Sequence, residues 1–137
     1  GAEERINDVL TFKSNMDSGM FLPVQHAAVA ALSLGADWYH SVNEVYSKRR
    51  EKVFELLDAL GCKYSMNQVG MFVWAKISEN IKDGYELSDQ VLYKSNVFIT
   101  PGGIFGSAGN QYIRVSLCGS ITKFEEAIQR IEAQKAN

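Results

Sequence analysis

The chain has 137 residues, a length for one compact domain that can bury roughly two-thirds of the surface its unfolded form exposes. An apolar share of 46% with 22% charged residues excludes an intrinsically disordered chain. A net charge of −2 gives no basic surface for nucleic acid, no apolar run is long enough to span a bilayer, and no N-terminal targeting segment is visible.

In chain order, Gly1 to Thr11 reads as a short amphipathic helix, because Ile6, Val9, Leu10 and Phe12 recur at near-helical spacing. Ser14 to Gly19 then breaks that period and reads as a loop. Pro23 suits the first turn of a second helix running to about Leu34. Val24, Ala27, Ala28, Ala31 and Leu32 form its expected buried stripe, and Gly35 ends it. Asp37 reads as the N-cap of a long third helix, with Val42, Val45, Tyr46, Val53, Leu56, Leu57 and Leu60 on its apolar face. Gly61 closes it, and residues 37–60 at 1.5 Å rise give about 36 Å. Lys48-Arg49-Arg50 precedes Glu51 and Glu55, so it reads as a solvated helix face.

Cys62 to Met66 is expected to be a strand, Asn67 to Gly70 a turn, and Met71 to Ser78 a second strand. Met71, Val73, Ala75 and Ile77 fall on one side of it and Phe72 and Trp74 on the other, which predicts a strand covered on both faces. A helix is expected from Asp83 or Gly84 to Ser95, with Asn96 taking the left-handed turn at its end. Val97 to Thr100 then reads as a short buried strand, and after Gly119-Ser120 a last helix follows, with Thr122 and Glu125 at capping-box spacing. Cys62 and Cys118 lack metal-ligand spacing and read as reduced structural thiols. His26 and His40 read as ordinary core or surface histidines, so no metal site is expected.

The most informative stretch is Pro101 to Ser116, a loop with four glycines that runs into a strand. Alternation puts Ile113, Val115 and Leu117 on an apolar face and Tyr112, Arg114 and Ser116 on a polar one. Arg114 therefore stands out from the sheet into a cleft or into water. Most arginines so placed are solvated or lie in weak surface pairs, while one held on a rigid strand can also match the two oxygens of a carboxylate. A phosphate-cradling loop is excluded, because a strand and not a helix follows, and no Lys-Ser or Lys-Thr pair is present.

Pro101-Gly102-x-x-Phe105-Gly106-x-x-Gly109-x-x-x-Ile113-Arg114-Val115-Ser116 resembles the C-terminal signature of class I/II aminotransferases, pyridoxal-phosphate enzymes of fold type I. Lys13 to Phe21, followed by Gln25 and an Ala-rich helix, is similar to the segment after that family's cofactor lysine. Gly70-Met71-Phe72-Val73-Trp74 resembles the family's Gly-x-Phe strand. The three matches keep the family's order and spacing over nearly the whole chain.

The resemblance implies an α/β fold: an α+β small domain of helices on a small mixed sheet. Residues 1–35 are expected to be a remnant of the large cofactor-binding domain. Residues 36–137 are expected to be the C-terminal small domain, with helix 37–60 linking the two. It further implies transfer of an amino group between an amino acid and a 2-oxo acid, with Arg114 binding the substrate α-carboxylate, Phe72 at the substrate pocket, and Asn15 in a loop near the active site of a neighbouring subunit. The Schiff-base lysine motif and the rest of the cofactor machinery are missing. The chain alone is therefore expected to be catalytically silent, to hold no pyridoxal 5'-phosphate, and to be the C-terminal part of a cytoplasmic, homodimeric parent enzyme. A lyase-type fold type I enzyme and a free-standing non-enzymatic binding domain are the alternatives.

Overall fold

The computed structural model describes residues 1–135. The chain divides into two compact units, Gly1–His40 and the remainder from Ser41. The first unit holds helix α1 (Glu3–Met16), helix α2 (Leu22–Leu32) and the start of α3 (Ala36–Ala59). No residue of α1 or α2 is buried, the expected apolar stripe on α2 included. The expected loop at Ser14 begins later: α1 continues through Ser14 and Asn15, whose side chains bond back to the Thr11 carbonyl. Pro23 lies in the first turn of α2, where its missing N–H costs nothing.

The second unit is built on β1 (Phe72–Lys76), α4 (Gly84–Ser95), β2 (Thr100–Pro101), β3 (Tyr112–Ser116) and α5 (Ile121–Lys135), together with most of α3. Sheet order is β1-β3-β2, and both pairings are antiparallel. The expected mixed sheet is thus corrected. The crossover through α4 places β2 beyond the site of β3, which inserts between them and runs against both.

Helix ends follow their local chemistry. Asp37 lies inside the first turn of α3 rather than capping it. At the other end Cys62 N–H donates to the Leu57 carbonyl and Gly61 N–H to the Asp58 carbonyl, a Schellman closure with Gly61 at φ +68°. Asp83 caps α4 by accepting from Glu86 N–H at 2.9 Å, and Asn96 ends it at φ 53°. The capping-box reading of Thr122 is corrected, because the hydroxyl of Ser120 accepts from Lys123 N–H at 3.3 Å.

One sheet face carries the core. Val73, Ala75, Ile113 and Leu117 pack with Val53, Leu56 and Leu57 of α3, Leu87 and Val91 of α4, and Phe124, Ala127 and Ile131 of α5. The opposite face bears Phe72, Trp74, Tyr112 and Arg114. Phe72 there is 36% exposed and Trp74 is half-buried, so the second face of β1 is covered only in part, less than its apolar pattern predicts.

The expected strand at 62–66 shrinks to a single bridge, Lys63 to Lys76. The next place along that edge is taken by a side chain. Gln68 accepts from Trp74 N–H at 2.8 Å and donates to the Trp74 carbonyl at 2.9 Å. The expected strand at 97–100 is likewise reduced: pairing begins only at Thr100 and ends at Pro101, after which Gly102 enters a 3₁₀ turn.

Candidate carboxylate-binding site

Because Trp74 spends both backbone groups on Gln68, it has none for β3, and it faces Arg114 as a non-hydrogen-bonded pair. Such pairs bring their side chains closest. Arg114 therefore rises from the central strand, flanked by β1 and by Thr100 of β2.

Two phenylalanines hold its head. The guanidinium carbon lies 4.0 Å from the ring centroid of Phe72 and 4.0 Å from that of Phe105. Among the described residues these two rings are the aromatic contacts of the guanidinium. Cation–π attraction to both rings holds the head without using its N–H donors in hydrogen bonds. Among the described residues, no hydrogen bond or carboxylate reaches those donors. A planar fork open at its edge is suited to a carboxylate in two parallel hydrogen bonds.

The loop supplies Phe105. It is wound into two 3₁₀ turns, Gly102–Phe105 and Ser107–Gly109, joined at Gly106 with φ +128°. The backbones of Gly102 and Gly109 touch, and a Cβ on either would strike the other's carbonyl. Glycine is required there for close approach. Phe105 in turn packs edge-on against Trp74 at 5.5 Å between centroids. Trp74, Phe105, Ala108, Gly109 and Tyr112 line an open hollow of about 440 Å³.

Of the residues singled out in the sequence, Arg114 and Phe72 come together. Asn15 lies in the N-terminal unit, exposed, with its amide donating to the Thr11 carbonyl at 2.8 Å. Phe105 and Trp74 belong to the Arg114 cluster, and no sequence signal gives either a site role. Phe105 stood in the quoted loop motif, yet nothing in its spacing signals that the loop folds back over the strand.

A larger hollow, of about 520 Å³, lies between α3 and the turn at Val69 to Met71. Its one cation, Arg50, is committed to the Gly70 carbonyl at 3.3 Å and has its Nε buried without a partner. The hollow is mostly apolar and holds no second charge, which makes it the weaker candidate.

The described residues do not fit a complete pyridoxal-phosphate site. The glycine-loop amides that would cradle a phosphate are used within the loop: Gly106 N–H donates to Gly103, Gly109 to Gly106 and Asn110 to Ser107. The N-terminus of α4 is capped by a carboxylate, which repels an anion. Hydrogen bonds from Lys48 to Glu44 and from Lys52 to Glu55 hold both ammonium groups above the ordinary lysine range, the reverse of an activated amine. Burial pushes the Cys62 thiol up to about 11, so it is no nucleophile at neutral pH. Among the described residues no group of His, Cys, Asp and Glu is placed to hold a metal ion, and no helix is long and apolar enough to cross a membrane.

Residues 3–131 match the family model for aminotransferase class I and II. The LL-diaminopimelate aminotransferase of Oleidesulfovibrio alaskensis is 39% identical over 122 residues, covering 87% of this chain and 30% of that protein. The same-named protein of Halothermothrix orenii is 33% identical over 132 residues, covering 96% of this chain and 34% of that protein. The solved structure of BacF from Bacillus subtilis, without ligand, superposes with a TM-score of 0.79 at 33% identity, over 100% of this chain and 35% of that one. The chain thus spans about a third of the length of the relatives it matches.

Proposed function

The chain belongs to the class I and II aminotransferase family, and we propose that it is the C-terminal, substrate-binding part of an enzyme that moves an amino group between an amino acid and a 2-oxo acid. Residues 1–35 would then belong to the large domain and residues 36–137 to the small one. Pyridoxal phosphate would be held by residues outside this chain, and the chain alone would be inactive. The longer enzyme would act as a cytoplasmic homodimer.

One observation carries this reading. The Arg114 guanidinium is fixed by two rings while its donors are left free. An arginine meant only for stability would be paired or turned along the surface. One held by two rings, with its donors unspent, is set to receive an acid, which is how a substrate α-carboxylate would be gripped. Phe72 forms one wall of that grip. Asn15, exposed at the end of α1, would reach the substrate only in the assembled enzyme.

The names of the relatives make LL-diaminopimelate the first amino acid to assay. The experiment is a titration of the pyridoxal-phosphate-loaded enzyme containing this chain, followed by absorbance, with product measured with and without a 2-oxo acid acceptor. Product that requires the acceptor supports transamination, and product without it supports the lyase alternative. The role of Arg114 is tested by its substitution: a KM unchanged across every amino acid removes it from the site.

A further inference from the structure

Arg114 has two aromatic neighbours of different standing. Phe72 is a strand residue pinned by the β1–β3 ladder. Phe105 is half-exposed and hangs from a loop whose shape depends on the Gly102–Gly109 contact. Among the described residues no hydrogen bond or ion pair ties the guanidinium down, so the two rings are the contacts that hold its head. With Phe105 removed, one of those contacts is lost and the side chain can swing away from Phe72.

We propose that Phe105 is a positioning residue: its ring holds the Arg114 guanidinium in the one orientation that turns its donors toward an incoming carboxylate. This rests on the reading that Arg114 receives a carboxylate. The loop from Gly102 to Gly109 then serves as a clamp that sets the second ring, and its glycines matter because they let that clamp close.

The test uses arginine Nε–Hε nuclear magnetic resonance spectra of the 137-residue chain. Arg114→Lys identifies the peak, and sodium pyruvate is the probe against sodium chloride at matched ionic strength. In the unsubstituted chain the Arg114 Hε should be shifted upfield by the two rings and should move saturably with pyruvate. Phe105→Leu should lose most of the upfield shift and weaken pyruvate binding about fivefold, the worth of one exposed cation–π contact. Phe105→Tyr should preserve both. An Arg114 Hε at its ordinary position in the unsubstituted chain overturns the positioning role, and needs no variant to fold. Phe105→Leu binding pyruvate within about twofold of the parent overturns it as well. If pyruvate has no more effect than chloride while the upfield shift is present and Phe105→Leu abolishes it, the carboxylate reading fails and the positioning of Arg114 by Phe105 stands.

Discussion

Gln68 binds both backbone groups of Trp74 through one side-chain amide, at 2.8 and 2.9 Å. A side chain thus does the work of a neighbouring strand at the open edge of β1. It satisfies the edge, blocks pairing with another chain, and leaves Trp74 facing Arg114 without backbone bonds between them. Gln68→Ala removes both bonds and should destabilise the fold by about 1–3 kcal/mol. Gln68→Glu keeps the shape but turns a carboxylate oxygen on the Trp74 carbonyl, so it should cost at least as much as Gln68→Ala. Urea unfolding of the three proteins checks the order. Equal midpoints would mean that water replaces the amide without loss.

Arg114→Lys keeps the charge and discards the planar fork. If a carboxylate is gripped by two parallel bonds, a point charge does not replace it. In the enzyme containing this chain, Arg114→Lys and Arg114→Ala should both raise KM for every amino acid, by about 10- to 100-fold, the worth of hydrogen bonds to a charged group. Steady-state kinetics over several amino acids decides this. A rise confined to one substrate would place Arg114 at a side-chain pocket instead.

Gly109→Ala tests the loop. Its new methyl group would fall on the Gly102 carbonyl, where backbone cannot move aside as a side-chain tip can. The expected cost is about 1–3 kcal/mol, as for other overpacked sites. The Arg114 Hε signal should change with it, because Phe105 rides on the same loop. Thermal unfolding gives the first readout and the arginine spectrum the second.

The sequence was most legible where one residue decides one conformation. Gly61, Asp83 and Asn96 each sit at the helix end their chemistry indicates. Alternation in β3 placed Arg114 opposite the core face, because it is the next residue after the buried Ile113. What stayed hidden depends on partners distant in the chain. The polar loop reading of 14–19 missed that Ser14 and Asn15 can turn their side chains back on their own helix. The two-sided reading of β1 held in part: Phe105 packs on Trp74, while Phe72 stays largely open beside a cation. No local period shows that Gln68 will act as backbone or that Phe105 will cover Arg114.

The two cysteines should separate cleanly by reactivity. Cys62 lies in the core and Cys118 is exposed. Burial raises the Cys62 thiol from 9.0 to about 11. Ellman's reagent at pH 8 should therefore label Cys118 quickly and Cys62 only as fast as the fold opens. The linkage sign follows from the raised value. Below about pH 9 both folded and unfolded thiols are protonated, and the contribution of Cys62 to stability is full. Between about 9 and 11 the unfolded chain loses its proton first, so stability falls as pH rises, at no more than about 1.4 kcal/mol per unit. Cys62→Ala should flatten that decline in urea unfolding measured from pH 8 to 10.5.

Helix α2 is the last place where exposure and composition disagree. It is eleven residues of almost wholly apolar sequence, LPVQHAAVAAL, and none is buried. Val29 is 63% exposed and Leu32 82%. A helix this short is marginal in water without tertiary packing, and an uncovered apolar face drives association. In dilute solution the amides of α2 should therefore exchange far faster than those around Leu57 at the core end of α3. Protection should rise with protein concentration as copies cover one another. Leu32→Asp should abolish that concentration dependence without changing exchange near Leu57, because the charge opposes association and touches nothing in the core. Strong protection of α2 at every concentration would mean that the helix already has a cover within its own chain. The proposal that residues 1–35 belong to a larger domain would then lose its physical support.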